Sequence, residues 1–430
     1  MYEDALSYDR AIACLTSAFA FGINPSLDGI RELTEALGRP QDAFRSVQVT
    51  GTNGKTSVVR LTSAMIAAHG YSTGTYTSPH LISYTERIEI DGAALTESEF
   101  AAALSTVLEA SGRLDREFTE FELLTASALV AFRDAGVEWA VLEVGMGGRW
   151  DATSVVSPAV AVITGVGLDH TDRLGTTREE IAADKACIIK PGCAAVLGPG
   201  CTGVEHIFEE RAKAVGAPLF RVAPEGADMT YTIAGRPHSP GGVLVLDMVG
   251  LRELPRLRLH APSYQAPNVA VAALACGTAL WAPLNGPAIR DMLVEFTFPG
   301  RFEVLRVAPP LVIDGAHNPE AAGVLAHAIR EAFRTECPTI VLAILSDKDA
   351  GGIVSALAPV ATAFVVTENG SPRCIPAAEL ADVVERVTGV RPAVRPQLAE
   401  ALAFASEAPS GVVVTGSLYT AGAVRKVFGG

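Results

Sequence analysis

The feature that most constrains this 430-residue chain is Val47-Gln48-Val49-Thr50-Gly51-Thr52-Asn53-Gly54-Lys55-Thr56-Ser57. A β-rich run, Ser46 to Thr50, meets Gly51 and Gly54. A long apolar pattern without breakers then runs from Thr56 to His69, and Gly70 is placed to end it. This is strand, glycine loop, helix. Such a loop turns successive backbone N–H groups toward one phosphate, and the free N–H groups of the following helix start add to the same anion site. Lys55 supplies a mobile positive charge and Thr56 a hydroxyl suited to Mg2+. The strict G-x-x-x-x-G-K-[ST] spacing fails because Val49 occupies its first position. An ordinary glycine turn ahead of a helix is the competing reading.

The same alternation recurs along the chain. Continuous apolar runs predict parallel strands covered on both faces at 139–144 and 158–164, and further strands are expected at 194–197 and 218–222. The spacing predicts helices over 96–110 and 177–190, both opened by Thr-x-x-Glu, and over 119–135, 204–215 and 267–280. Residues 7–38 read as helical with a loop around Gly22 to Pro25, and Asp91-Gly92 as a turn. From 229 to 260 short β runs separated by Gly235, Gly241, Gly242 and Gly250 predict an antiparallel appendage. After Phe298-Pro299-Gly300-Arg301 the pattern restarts, with strands at 311–314, 339–345, 363–367, near 391 and 412–415, and helices between them. The predicted fold class is α/β. A mostly parallel sheet domain bearing the phosphate loop spans 1–297 and includes the appendage; a smaller Rossmann-like α/β domain spans 298–430. Ligands of such sheets sit at the carboxyl ends of the strands and in clefts between domains.

Composition narrows the partners. The chain has 34 Lys and Arg against 48 Asp and Glu, a formal charge of −14. That argues against a nucleic-acid partner held by phosphate neutralisation, and an anionic small molecule needs local N–H groups, cations or metal ions. Seven cysteines without a CxxC predict a reducing, cytoplasmic setting. The acidic, polar stretch Met1 to Arg10 precedes no signal-like cleavage site. His260 to Ile289 lacks Asp, Glu, Lys and Arg, but prolines cut its apolar core to about 16 residues, too short for a membrane span. No membrane partner is expected.

Several polar groups follow strands. Glu143 ends one, ahead of Gly145-Met-Gly-Gly-Arg149 and Asp151, and hard divalent ions seek such carboxylate oxygens. A solvent-facing acid is the alternative. Asp169-His170 follows the next strand; an imidazole there can bind a metal while Asp169 orients it, or be a satisfied structural histidine. Asp314-Gly-Ala-His317-Asn-Pro319, Ser346-Asp-Lys348-Asp349 and Gly416-Ser417 hold similar places, with helix caps or solvated loops as the plainer readings. Arg87 and Arg301 can each pair with phosphate in a fork, or lie on the surface.

Taken in order, these words resemble the folylpolyglutamate synthase/dihydrofolate synthase family of the Mur ligase superfamily. The matching text is Gly51–Ser57, Thr77-Ser-Pro-His-Leu81, Tyr84-Thr-Glu-Arg87, Phe121-Glu122, Glu143–Arg149, Asp151-Ala-Thr153, Gly167–Thr171, Lys185, Phe298–Arg301, Asp314–Pro319, Ser346–Asp349 and Ser417-Leu-Tyr419. The resemblance implies ATP-dependent joining of L-glutamate to dihydropteroate or a folate through an acyl phosphate. It implies ATP at Gly51, Thr52, Asn53, Gly54, Lys55, Thr56, Ser57, Asn268, Arg301, Asp314 and His317. It implies two Mg2+ ions held by Ser78, Glu143, His170 and a carbamylated Lys185, and catalytic roles for Lys55, His170, Lys185 and Arg301. Acid or glutamate contacts are implied at Thr77, Pro79, His80, Arg87, Phe121, Arg149, Asp151, Lys348 and Ser417. ATP would lie between the domains of a monomer. Thr56, Arg173, Cys187 and Tyr264 depart from the residues usual in the family, leaving room for a Mur-type ligase acting on a nonfolate acid.

Overall fold

The computed structural model describes residues 6–18, 25–250, 254–334 and 336–428. Met1–Ala5 and the loop positions Gly22–Asn24 of the sequence reading lie outside them. The chain divides into two compact units. One comprises Met1–Tyr231, Met248–Pro255 and Pro267–Met292; the other comprises Thr232–Asp247, Arg256–Ala266 and Leu293–Gly430.

In the first unit, β1 (Arg45–Thr50), β2 (Thr73–Tyr76), β3 (Ile88–Ile90), β4 (Ala93–Ala94), β5 (Trp139–Glu143), β6 (Val160–Gly165), β7 (Ala194–Gly200) and β8 (Leu219–Ala223) lie in the order β8-β7-β6-β1-β5-β2-β3-β4. Pairings from β8 to β2 are parallel. The edge strands β3 and β4 run antiparallel. Strands β5 and β6 are buried along their whole length, as continuous apolar runs under two helical layers must be. Helices Glu97–Ser111, Glu120–Ala135 and Arg178–Lys185 all start in complete capping boxes, at Thr96/Glu99, Thr119/Glu122 and Thr177/Glu180. The last was expected to reach 190 and stops at Lys185, tightening into a 3-10 turn over Ala186–Ile188. Pro191 disfavours helical backbone at the residue before it, and Gly192 follows in the left-handed region (φ 84°).

Strands β9 (Met229–Gly235), β10 (Val243–Val249) and β11 (Leu257–His260) make the predicted appendage, with β10 and β11 antiparallel from Val243↔His260 to Leu246↔Leu257. Its residues 232–247 and 256–266 group with the second unit, not with 1–297. The physical reason lies in side chains: Arg236 and Ser263 both bond to Glu331 on the helix Pro319–Ala332, and Tyr264 bonds to Asp314.

The second unit's sheet runs β12 (Glu303–Val307), β13 (Pro310–Ile313), β17 (Val412–Thr415), β14 (Thr339–Leu342), β15 (Ala363–Val366), β16 (Ala393–Val394). All its pairings are parallel except β12 with β13. In each unit the conspicuous polar words follow the carboxyl ends of parallel strands: residues 51–57 after β1, 145–149 after β5, 167–170 after β6, 314–318 after β13, 346–349 after β14 and 416–417 after β17. The uncharged stretch folds as the helix Ala266–Leu280, buried from Val269 to Cys276. Among the described residues no helix is long and apolar enough to cross a membrane. All seven cysteines are free.

Candidate functional site

In the first unit the phosphate loop leaves β1, which lies between β5 and β6. Neighbouring backbone ties it down. Thr52 N–H donates to Gly165 O (3.0 Å), the Thr52 hydroxyl donates to Gly167 O (3.1 Å) and accepts from Gly167 N–H (2.9 Å), and the Thr164 hydroxyl donates to Asn53 O (2.6 Å). Gly54 turns in the left-handed region (φ 85°), and a Cβ there would lie 2.6 Å from Asn268 Oδ1. Both facts demand glycine. They also put Asn268, expected at ATP, beside the loop. The helix Lys55–Ala67 starts at once, with Lys55 Nζ folded back on Gly51 O (2.9 Å) and Thr52 O (3.2 Å). Ser57 is buried on this helix.

The Thr56 hydroxyl donates to Glu143 Oε1 (3.0 Å), and Ser78 N–H donates to Glu143 Oε2 (3.2 Å). Register sets this meeting, because Val49 of β1 lies opposite Glu143 of β5. Glu143 is 1% exposed. A buried carboxylate flanked by hydroxyl-bearing residues is the hard oxygen set that Mg2+ requires, so these residues fit the ion. Among the described residues no group of three His, Cys, Asp or Glu side chains forms a metal cluster. His170 takes a left-handed backbone (φ 51°), and its Nε2 lies 3.9 Å from Asp169 Oδ2. Lys185 is 4% exposed. Burial first, then the charge of Lys55, pushes its amine down to about 7.

The expected acid-binding residues divide into two groups. On the loop 77–87, Glu86 gathers the N–H groups of Leu81, Ile82 and Ser83 (2.9–3.1 Å). Thr77 is buried beside it and Pro79 is exposed. Arg87, considered as a phosphate fork, is instead buried: its Nε donates to His80 Nδ1 (3.0 Å) and its guanidinium lies 5.1 Å over the Tyr84 ring. Burial, then Arg87, pushes His80 down to about 4, which keeps the ring neutral near pH 7. Asp151 serves its own loop, accepting from Thr153 N–H and hydroxyl on Oδ1 and from Met146 N–H on Oδ2. Phe121 covers Gly145, whose added Cβ would lie 2.7 Å from the ring. Arg149 is half exposed, its backbone N–H held by Asp184 (3.3 Å). In the sequence Glu86 stood only within Tyr84-Thr-Glu-Arg87, without a role, and Asp184 was not singled out. The Ser83-x-x-Glu86 capping pattern was visible in the text; nothing in the sequence marked Asp184.

In the second unit Asp314, expected at ATP, is 4% exposed. It accepts from Ala316 N–H (2.8 Å) on Oδ1 and from Phe302 N–H (2.8 Å) and Tyr264 hydroxyl (3.0 Å) on Oδ2. Arg301 donates to Gly300 O (3.2 Å), and His317 Nδ1 lies 2.8 Å from Gly315 O. Lys348 sits 3.5 Å from Asp347, while Asp349 caps the helix Ala350–Leu357. Ser417 is buried at the start of the helix Leu418–Phe428, its hydroxyl accepting from Tyr419 N–H (3.1 Å).

Residues 49–197 match the family model of the Mur ligase middle domain and residues 300–418 that of the Mur ligase glutamate ligase domain. The chain is 38% identical to the dihydrofolate synthase/folylpolyglutamate synthase of Mycobacterium tuberculosis, over 95% of this chain and 91% of that protein. It belongs to the folylpolyglutamate synthase/dihydrofolate synthase family of Mur ligases. A Bacillus subtilis member is 30% identical over 89% of both chains. Among solved structures, M. tuberculosis folylpolyglutamate synthase complexed with ADP and AMPPCP aligns with TM-score 0.90 at 36% identity, covering 98% of this chain and 99% of that one. An Escherichia coli relative in complex with DHPP and ADP gives 0.88 at 30% identity, covering 98% of each. A Yersinia pestis bifunctional synthase with Mn, AMPPNP and L-glutamate bound gives 0.84 at 30%, covering 97% of each.

Proposed function

We propose that this chain joins L-glutamate to the carboxylate of dihydropteroate or a reduced folate, using ATP. The observation that carries this is the phosphate loop with Lys55 at its rim and the buried Glu143–Thr56 pair behind it. The acid's carboxylate oxygen attacks the γ-phosphorus of ATP and the bond to ADP breaks, giving an acyl phosphate. The glutamate amine then attacks the acyl carbon, loses its proton, and phosphate leaves with the amide formed. Carboxylate and γ-phosphate repel each other, so preorganised positive charge governs the first step. Lys55 supplies such charge in the first unit; Arg301 is the residue of the second unit assigned to phosphate. Bound at Glu143, Thr56 and Ser78, Mg2+ supplies charge neutralisation for the phosphates; His170 and Lys185 are the residues assigned to a second ion.

Lys185 has the chemistry for carbamylation. A carbamate forms from neutral amine and CO2 with release of a proton, and an amine held near 7 is largely neutral above that pH. The product places an anion within the field of the Lys55 ammonium. His80, neutral and fixed by Arg87, and Phe121 are assigned to the acid; Lys348 and Ser417 are assigned to glutamate. The deciding experiment is phosphate release with dihydropteroate, tetrahydrofolate and a panel of nonfolate acids, each with glutamate and with other amino acids. Turnover with either folate compound and glutamate is expected. Turnover confined to a nonfolate acid overturns the substrate assignment.

A further inference from the structure

Lys190 ends the segment that carries Lys185, and its side chain bonds to protein rather than extending into water. The ammonium donates to Ser154 O and to Val156 O (2.6 Å). These carbonyls stand at the end of the 3-10 turn Ala152–Val155, where a helix leaves its last carbonyls without partners of their own. The surroundings oppose a charge there: burial first, then the cation Arg31, push the amine down to about 8. An ammonium free to swing outward would leave such a place, and the two carbonyls keep it. Cys193 N–H closes back on Lys190 O (3.2 Å), so the backbone of the residue is fixed as well.

The turn that Lys190 grips is tied to the rest of the site. Ser154 is buried, and its hydroxyl donates to Gly148 O (2.6 Å) while accepting from Gln48 Nε2 (3.0 Å). Gly148 in turn lies flat on the segment that carries Lys185: an added Cβ would fall 2.8 Å from Ile188 Cγ2 and 3.1 Å from Lys185 O. One residue earlier, a Cβ on Gly147 would strike Asp184 Oδ1, and the Thr50 hydroxyl donates to Gly147 O (2.6 Å). The contacts close a ring. It runs along the chain from Lys185 to Lys190, crosses to Ser154, passes to Gly148 and returns onto Lys185. The loop in that ring begins directly after β5, which ends at Glu143.

We propose that Lys190 is a positioning residue for the ligation. It fastens the loop that follows Glu143 onto the segment that carries Lys185, so that carboxylate and amine keep one geometry for the ions assigned to them. This role rests on the metal reading of Glu143 and Lys185 made above.

The test reads Mn2+ binding to the full chain by electron paramagnetic resonance, with phosphate release and thermal unfolding alongside. K190M keeps the stem and loses every donor. It is expected to weaken Mn2+ binding about tenfold and to lower kcat, with the KM for glutamate unchanged. K190R keeps donors for both carbonyls and should stay within about twofold of the native chain. S154A is a small change that cuts the ring at its next link. It should weaken Mn2+ binding in the same direction and add little on top of K190M, and it decides the matter where K190M does not fold. Native Mn2+ binding in K190M and S154A, whatever their unfolding temperature, overturns the role, and so do equal losses in K190M and K190R. E143Q separates the two ways to fail. Native Mn2+ binding by E143Q overturns the metal reading, and the positioning role falls with it; a weakened E143Q beside unaffected K190M and S154A overturns the role alone.

Discussion

Lys55 is the residue on which the chemistry leans hardest. Its ammonium rests on two carbonyls of the loop it follows, within reach of whatever anion the loop binds. Lys55→Ala should reduce phosphate release by at least 100-fold with the fold intact, as judged by circular dichroism; unchanged kcat would remove its central role. Lys185 makes a different prediction. Its amine, pushed down to about 7, reacts with CO2 as the neutral form, so carbamate should increase as pH rises from 6.5 to 8.5 at fixed dissolved CO2. With 13C-bicarbonate, NMR should show a carbamate carbon in the native chain and none in Lys185→Arg; a spectrum without it in the native chain counts against carbamylation. The text marks the loop and Glu143, because each sits beside a glycine or a strand end, whereas Lys185, at a helix end, was assigned through the family resemblance alone. Arg87, Asp151 and Asp314 also have protein partners that the text does not show: Arg87 donates to His80, Asp151 accepts from Met146 and Thr153, and Asp314 accepts from Phe302 and Ala316.

Elements with strong periodicity and an explicit start were legible. Thr96/Glu99 and Thr177/Glu180 announced their helices, and both boxes close as expected. The Thr119/Glu122 box went unremarked although its helix was read correctly. It should be the more valuable one. Glu122 is buried, its Oε2 holds Thr119 N–H and hydroxyl, and its Oε1 has no hydrogen-bond partner. Thr119→Ala should therefore destabilise by roughly 1–2 kcal/mol, against roughly 1 for Thr96→Ala on an exposed cap, measured as shifts in the urea midpoint. Strands β2, β3 and β4 were missed. β2 is only four residues long and contains Gly74, where the missing side chain admits the Phe132 ring; a strand whose burial depends on a distant helix has no period of its own to read. The helix Gly286–Glu295 was missed for a similar reason, as Gly286 and Pro287 at its start look like a loop.

At the scale of the whole molecule, the second α/β unit is not simply the last third of the chain. Asp314 needs Tyr264, and Glu331 needs Ser263 and Arg236, all from segments well upstream. A fragment of residues 298–430 should unfold at lower temperature than the same region within the full chain, because it leaves Asp314 short of one donor and Glu331 short of two. Scanning calorimetry of both checks this, and equal transitions would show that the upstream segments are dispensable. Sequence composition could not reveal this sharing. Strand and helix patterns report which pieces form, whereas three-dimensional partners decide which body each piece joins.

The backbone passes from one body to the other at 231/232, 247/248, 255/256, 266/267 and 292/293. A ribosome delivering this chain from its N-terminus cannot finish the first body until Met292 has emerged, and by then Tyr264 and the β10–β11 hairpin are already outside, awaiting partners not yet synthesised. Nascent protein must therefore carry a half-built C-terminal body for more than a hundred residues, and a holding chaperone or a slowed stretch of translation has its natural place there.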